Sequence, residues 1–108
     1  MPTDLRVMCE QIRMQAQEEN IRITQHAQQE MAEEDITLDE VLETIFAGTI
    51  LENYPEHRRG ACCLVGGSTQ NGRPVHIVCT STQPVLIIIT VYEPRPPKWL
   101  TPTQRRQK

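Results

Sequence analysis

The sequence has few aromatic residues and no long hydrophobic run. Phe, Trp and Tyr make up 4% of its 108 residues, which is too few for the stacked aromatic surface on which proteins bind single-stranded nucleic acid. The longest apolar run, residues 85–89, has the length of one strand, whereas a membrane span needs about 18 or more residues. The N-terminus lacks the basic and apolar regions of a signal peptide. We therefore expect a cytoplasmic protein that makes no contact with membranes.

The cysteines form neither a disulfide framework nor a metal-binding pattern. None of Cys9, Cys62, Cys63 and Cys79 belongs to a Cys-x-x-Cys pair. Adjacent cysteines in a strand point to opposite faces, which argues against a shared metal ion. We predict that all four are small buried hydrophobic residues. No glycine-rich phosphate loop precedes a predicted helix, so we expect no cofactor and no resident metal ion.

Charge is distributed unevenly between the two halves of the chain. Residues 1–56 carry three Arg and thirteen Asp or Glu, a net charge of −10, whereas residues 57–108 carry eight Lys or Arg and one acid, a net charge of +7. This asymmetry is typical of a basic binding surface beside an acidic helical layer, or of acidic helices held against a basic sheet rim. The loop at residues 57–60, with Arg105, Arg106 and Lys108, either contacts phosphate or is a solvated loop facing the helices.

Apolar spacing and capping residues predict three helices. The first begins at Thr3-Asp4 and fades near residue 19, and the second begins at Thr24 and ends near residue 34. The third begins at a capping box formed by Thr37 and Glu40, and Gly48 suits a left-handed residue after its last turn. Its predicted inward stripe is Leu38, Val41, Leu42, Ile45 and Phe46.

After Gly48 the apolar period becomes that of a strand. Four strands are predicted at residues 49–54, 61–66, 75–81 and 85–92. Asn71-Gly72 favours a two-residue type I′ turn because both residues tolerate positive φ. Prolines then end the sheet, and Trp99 is predicted to fold back onto it. The fold class is therefore α+β, with N-terminal helices packed on one face of a four-stranded antiparallel sheet.

The last predicted hairpin carries polar side chains on an apolar frame. In one register His76 pairs with Thr90 and lies near Tyr92, whereas a slip of one residue separates them onto different faces. In metal-free phosphoester cleavage, His76 would move a proton and Arg73 would neutralise the charge on phosphate. Tyr92 would position the reacting groups or act as a donor. The alternative is a structural histidine bonded to a neighbour and a tyrosine at a sheet edge.

His26 is a second candidate for chemistry. It lies in the predicted first turn of its helix, where the positive end of the dipole disfavours imidazolium and leaves the ring a proton acceptor. Glu30 follows at i+4, where it either hydrogen-bonds the ring or supplies half of a metal site. A capping or surface histidine is the alternative.

The order of motifs along the chain resembles the domain-of-unknown-function family 4258. The motifs are His26-Ala27, Met31, residues 36–41, residues 48–55, residues 72–76, and residues 89–94 with Trp99. The resemblance covers roughly residues 21–100, which leaves residues 1–20 as an N-terminal helical extension and 101–108 as a basic flexible tail. That family is regarded as similar in fold to small RelE- and BrnT-like ribonuclease toxins. The resemblance therefore implies metal-free RNA cleavage, or a relative that has lost it.

The resemblance carries a set of candidate catalytic residues over to this chain: His26, Arg73, His76, Thr90 and Tyr92. Family members usually have Arg where this chain has Glu30 and Glu34, and carboxylates there would repel RNA phosphate. Two functions are therefore expected. One is a toxin-type, metal-independent endoribonuclease that binds RNA. The other is a non-catalytic protein-interaction or regulatory module of the same fold, bound to an antitoxin-like protein or to a second copy.

Overall fold

The computed structural model describes residues 4–58 and 60–106. Thr3, Arg59 and Lys108, which the sequence assigned to a helix cap, a basic loop and a basic tail, lie outside this part. Within it, no helix is long and apolar enough to cross a membrane. The elements in chain order are α1 (Leu5–Gln17), β1 (Ile21–Ile23), α2 (Gln25–Glu34), α3 (Leu38–Ala47), β2 (Thr49–Tyr54), β3 (Cys62–Ser68), β4 (Pro74–Thr80), β5 (Leu86–Tyr92), β6 (Trp99–Thr101) and β7 (Gln104–Arg105).

Each helix begins at a side-chain cap. The carboxylate of Asp4 accepts the first free N–H groups of α1, and the hydroxyl of Thr24 does the same for α2. At α3, Thr37 and Glu40 form the full reciprocal capping box. These three helix starts are confirmed, because capping depends on residues close together in the sequence.

Gly48 follows α3 in an extended conformation, with φ −87° and ψ 171°. The predicted left-handed residue is therefore wrong, because the chain runs straight into β2. A Cβ at this position would lie 2.6 Å from the Thr44 carbonyl oxygen and 2.8 Å from that of Gly66. Glycine is required here by close backbone approach and not by positive φ.

The main sheet has five strands in the order β1-β5-β4-β3-β2. The four predicted strands are present and antiparallel. A short additional strand, β1, pairs in parallel with β5, Ile21 opposite Leu86 and Ile23 opposite Ile88. The prediction of a four-stranded, wholly antiparallel sheet is therefore wrong. Three residues are too few to show strand periodicity, and β1 forms only because β5 offers it a partner.

The turn between β3 and β4 places Arg73 and differs from the predicted type. Thr69 donates its N–H to the Arg73 carbonyl and accepts from the Gly72 N–H, both at 2.9 Å. Gly72 has φ 82°, whereas Asn71 is not among the described residues with positive φ. The two-residue type I′ turn is therefore wrong. The observed loop is a three-residue hairpin loop that ends in a left-handed glycine.

A bulge between β4 and β5 decides which side chains share a face. His76 lies directly opposite Tyr92, and the register shifts before Ile88. As a result Leu86 and Ile88 belong to the core beneath the helices, while Tyr92 lies against His76 on the other face. The register that pairs His76 with Thr90 is not the one observed. An offset of two residues keeps the same face, so His76 and Tyr92 still meet.

The helices cover one face of the sheet and form the core with it. Ile12 and Ala16 of α1 belong to this core, so the segment before residue 21 is packed with the rest of the chain. In α3, Leu38 and Phe46 are 44% and 45% exposed, so their predicted inward placement is wrong. Thr44 is buried instead, and its hydroxyl donates to the Glu40 carbonyl at 2.7 Å. The sheet covers a narrower part of α3 than the apolar pattern indicated.

A two-stranded hairpin formed by β6 and β7 covers the opposite face of the sheet. Trp99 is 2% exposed, and its ring centroid lies 4.4 Å from that of His76. The predicted return of Trp99 onto the sheet is confirmed. Residues 104 and 105, predicted to lie in a flexible tail, instead form β7. This strand pairs with β6, and its Arg105 also reaches Glu52 of β2.

Candidate functional site

The largest group of polar side chains lies between the sheet and the C-terminal hairpin. We call it the back-face cluster, and it consists of Glu52, Tyr54, His76, Tyr92, Trp99 and Arg105. Strands β2, β4 and β5 supply four of these residues, and the hairpin supplies Trp99 and Arg105. The sequence indicated His76 and Tyr92 as candidate catalytic residues and Arg105 as a candidate phosphate contact, and it gave no chemical role to the other three. The alternation that places Glu52 and Tyr54 on one face was the available signal.

His76 is a buried imidazole with a hydrogen-bond partner at each ring nitrogen, and burial favours its neutral form. Its Nε2 lies 2.6 Å from the Pro102 carbonyl oxygen, which only accepts, so Nε2 carries the proton. Its Nδ1, 3.1 Å from the Tyr92 hydroxyl, then accepts from that hydroxyl. Burial lowers the pKa of His76, although the Pro102 contact acts in the opposite direction. Both ring nitrogens are engaged, and the residue is 1% exposed.

Arg105 joins the hairpin to β2. Its Nε and Nη2 donate to the two carboxylate oxygens of Glu52 at 2.9 and 2.7 Å, and its guanidinium carbon lies 4.6 Å from the ring centroid of Trp99. Hydrogen bonding from Arg105 lowers the pKa of Glu52. The Tyr54 hydroxyl donates to the same carboxylate. Burial, together with that hydrogen bond, raises the pKa of Tyr54 to about 12.

Arg73 lies away from this cluster, at the C-terminus of α2. Its Nε donates to Glu93 at 2.8 Å, its Nη1 donates to the Asp35 carbonyl at 2.8 Å, and its Nη2 donates to the Glu34 carbonyl. The hydrogen bond to Glu93 raises the pKa of Arg73. Each of the three nitrogens is therefore occupied by a protein acceptor. Arg73 joins the C-terminus of α2 to Glu93, the residue that follows β5.

The remaining two candidates are also separated. The His26 side chain is 66% exposed on α2, with Nε2 3.3 Å from Glu30 Oε1. Thr90 pairs with Val78 in the middle of β4 and β5. The structure thus brings His76 and Tyr92 into contact and places His26 and Arg73 elsewhere. In residues 4–58 and 60–106, no three His, Cys, Asp or Glu side chains are grouped so as to hold a metal ion.

The acidic residues of α2 cover the edge of β5. Oε1 of Glu30 accepts the Val91 N–H at 3.0 Å, and Oε1 of Glu34 accepts the Glu93 N–H at 3.1 Å. Four helical residues rise about 6 Å, close to the roughly 6.6 Å spanned by two strand residues, so carboxylates at i and i+4 meet every second N–H. These two glutamates satisfy the edge that the short strand β1 leaves uncovered.

The architecture defines an α+β protein with three helices on one face of a five-stranded mixed sheet and a small hairpin on the other. Residues 23–93 match the family model described as Domain of unknown function (DUF4258), and the chain belongs to that family. The predicted family is thereby confirmed, over a narrower range than residues 21–100. The match includes His76 and Arg73 but excludes α1 and the C-terminal hairpin. Comparisons with curated proteins and with solved structures found no match.

Proposed function

We propose that the protein is a cytoplasmic, non-catalytic interaction module in which the ribonuclease-like residues stabilise the fold. The observation that carries this proposal is the engagement of Arg73 and His76 by acceptors and donors of the chain itself. A phosphate at Arg73 would have to displace the Glu93 carboxylate and two helix-terminal carbonyls. A substrate hydroxyl at His76 would have to displace Pro102 or Tyr92. Both exchanges remove hydrogen bonds from partly buried groups, which is costly.

Exposed apolar side chains on the helical layer support the same proposal. Of the six large hydrophobic residues that are exposed in the described part of the chain, five belong to α1 and α3: Leu5, Val7, Met14, Leu38 and Phe46. Val7 and Met14, one heptad apart on α1, are each 58% exposed. Single exposed apolar residues are ordinary, but their concentration on two adjacent helices is typical of a protein-binding surface.

The test combines RNA turnover with partner capture. Wild-type protein in EDTA should leave structured RNA intact, and tagged wild type should recover a specific protein from cells that express the chain naturally. Val7→Asp with Met14→Asp should lose that protein because a carboxylate disfavours an apolar contact. Leu100→Asp, an equally exposed apolar residue on the hairpin, is the matched control and should retain it. RNA cleavage by wild type, with no partner recovered, would sink the proposal.

A second candidate is a metal-independent endoribonuclease of RelE- or BrnT-like toxin type, with RNA as its substrate. The back-face cluster favours it, because proton-transfer groups at His76, Tyr92 and Glu52 lie together beneath a basic hairpin. Residues 94–106 carry four Lys or Arg and no acid, which suits a polyanion. Displacement of the hairpin would free His76 Nε2 and present Arg105 to phosphate. Covered as it is, the cluster offers RNA no access.

Loosening the hairpin discriminates the second candidate from the first. Trp99→Ala removes the ring that packs on His76, and Leu100→Ala, exposed on the same strand, is its control. A ribonuclease with a covered site should gain RNA cleavage in Trp99→Ala but not in Leu100→Ala, and lose it again when His76→Asn is added. Circular dichroism checks that each variant is folded. No cleavage by a folded Trp99→Ala variant would exclude this candidate.

A further inference from the structure

The two edges of the main sheet differ in what covers them. At one edge, β5 is covered by β1 and by the glutamates of α2. At the other edge, β2 has β3 on one side and, within residues 4–58 and 60–106, no strand on its other side. The sequence of β2 contains neither Lys nor Pro, two residues that commonly block edge pairing, but it has a bulge between Ile50 and Glu52 that interrupts the edge locally. On either side of the bulge this edge is suited to accept a further strand.

A groove of about 300 Å³ runs between β2 and α1. Leu5, Cys9 and Ile50 give it an apolar floor, and Arg6, Glu10 and Arg13 supply its charged groups. Both arginines belong to α1, and they are two of the three in residues 1–56. The groove is thus a net cationic site in the acidic half of the chain.

Arg13 has an unused donor beside this groove. Its Nη2 donates to the Gly48 carbonyl at 2.8 Å, while its Nε is buried without a hydrogen-bond partner in the described part of the chain. Buried polar groups are almost always paired, and an arginine is paired best by a carboxylate. A ligand carboxylate in this groove would neutralise Arg6 and Arg13, the two arginines that line it.

We propose that an extended, acidic segment of a partner protein adds to β2 as a sixth strand, with its carboxylates at Arg6 and Arg13. The inference rests on the proposed interaction function and adds a second contact of the same partner, at the β2 edge, to the one made by the exposed apolar residues of α1 and α3. A second copy of this chain fits less well. The strand that it would bring is β2 itself, whose single acid, Glu52, is already bound by Arg105.

The test uses a displayed library of random twelve-residue peptides, selected on the immobilised full chain. Enriched peptides should alternate apolar residues with Asp or Glu, since alternate residues of a strand share a face. Arg6→Glu should weaken their binding about tenfold through loss and reversal of charge. Arg22→Glu changes the same charge at the exposed central residue of β1 and should leave binding unchanged. N-methylation of the peptide backbone should abolish binding when it falls on the alternate residues whose N–H groups face β2. Bound peptide should also slow amide exchange in β2.

Three other results of this experiment would each contradict the proposed strand addition. Peptides that bind Arg6→Glu as well as wild type, or that protect amides outside β2, overturn this site and leave the interaction function standing. Failure to enrich any peptide also overturns the acidic strand, and the partner-capture experiment then decides the function separately. Protection of β2 amides that rises with protein concentration in the absence of peptide shows a second copy as the occupant, and that result contradicts the proposal.

Discussion

At His76, burial and hydrogen bonding act on one imidazole in opposite directions. Desolvation disfavours the charged ring, the Pro102 carbonyl favours it, and desolvation has the larger effect on its pKa. The Tyr92 hydroxyl completes the neutral form by donating to Nδ1. A buried polar residue of this kind fixes one arrangement of the hairpin, because other arrangements leave its nitrogens without partners.

The lowered pKa of His76 predicts acid sensitivity. The unfolded chain binds a proton at this residue near the ordinary histidine pKa, whereas the folded chain resists it, so the free energy of unfolding should fall as pH decreases from about 7.5 to 5.5. Urea unfolding at several pH values measures this slope. His76→Asn should reduce the slope relative to wild type. Equal slopes in the two proteins would contradict the assignment of a neutral buried ring.

Arg73 is expected to contribute to stability. Arg73→Lys keeps the positive charge but cannot reach Glu93 and the carbonyls of Glu34 and Asp35 together. We expect the free energy of unfolding to fall by about 1–3 kcal/mol. Arg95→Lys, whose side chain is 56% exposed, is the matched control and should change stability by less than about 0.5 kcal/mol. A stable Arg73→Lys protein that had lost RNA binding would instead support a phosphate-binding role.

At the scale of elements, α2 acts as the edge cover of β5. An acidic helix appeared unsuited to an RNA-binding protein, but Glu30 and Glu34 have a structural use that an arginine at the same positions cannot provide, since it has no acceptor. In this chain the two glutamates thus satisfy backbone N–H groups at the sheet edge. Reversing the charge at Glu30, Glu33 and Glu34 together would therefore disrupt the fold along with any binding.

Single substitutions in α2 separate these effects. Glu30→Lys should leave the Val91 N–H without its acceptor, lower the free energy of unfolding by about 1–3 kcal/mol and speed exchange of that amide. Glu33→Lys, on the exposed side of the same helix, makes the same charge change and should have an effect below about 0.5 kcal/mol. Chemical denaturation and amide exchange by NMR measure both variants. An equal loss of unfolding free energy in both variants would show that the charge of α2, and not the hydrogen bond to the β5 edge, determines the stability.

The C-terminal hairpin is held to the sheet through Glu52. Burial, together with donation of the Tyr54 hydroxyl to this carboxylate, raises the pKa of Tyr54 to about 12. Glu52→Gln should lower the pKa of Tyr54, since the anionic acceptor is gone, and should weaken the attachment of Arg105. NMR titration of Tyr54 in the wild-type protein and in Glu52→Gln measures the change. An unchanged pKa of Tyr54 would show that burial alone sets it.

At the scale of the whole molecule, the charge asymmetry follows the layers. The acidic residues of the first half are concentrated on the helices, and the basic C-terminal hairpin lies on the opposite face of the sheet. Ion pairs join the two halves: Arg73 with Glu40, Arg95 with Glu34, and Arg105 with Glu52. These pairs favour the interpretation in which acidic and basic segments complement each other within one fold.

The cysteines report on the integrity of the whole fold. All four are buried, as the sequence predicted, so a thiol reagent should label them slowly in native buffer and completely in concentrated guanidinium chloride. The labelling rate should rise together with the unfolded fraction across a denaturant series. Cys9→Ser, at the groove between α1 and β2, tests whether one thiol accounts for any native labelling. Rapid native labelling of several thiols would contradict the packing described.

The sequence by itself determined the features that depend on near neighbours. Helix starts at Thr24 and Thr37, the four main strands, the buried cysteines and the family all follow from caps, apolar spacing and motif order. Such signals are legible because the interacting residues lie within one turn or one strand of each other.

Tertiary structure alone decided the features that depend on distant partners. The strand β1 exists because β5 lies beside it, and a bulge places Tyr92 with His76. The hairpin that covers His76 is fixed by two contacts with the sheet. The carbonyl of its Pro102 accepts from His76, and its Arg105 donates to Glu52 of β2. Whether a polar side chain is a free reactive group or an engaged structural one depends on these contacts. Local sequence does not encode them, because each partner is supplied by a segment that folding alone brings near.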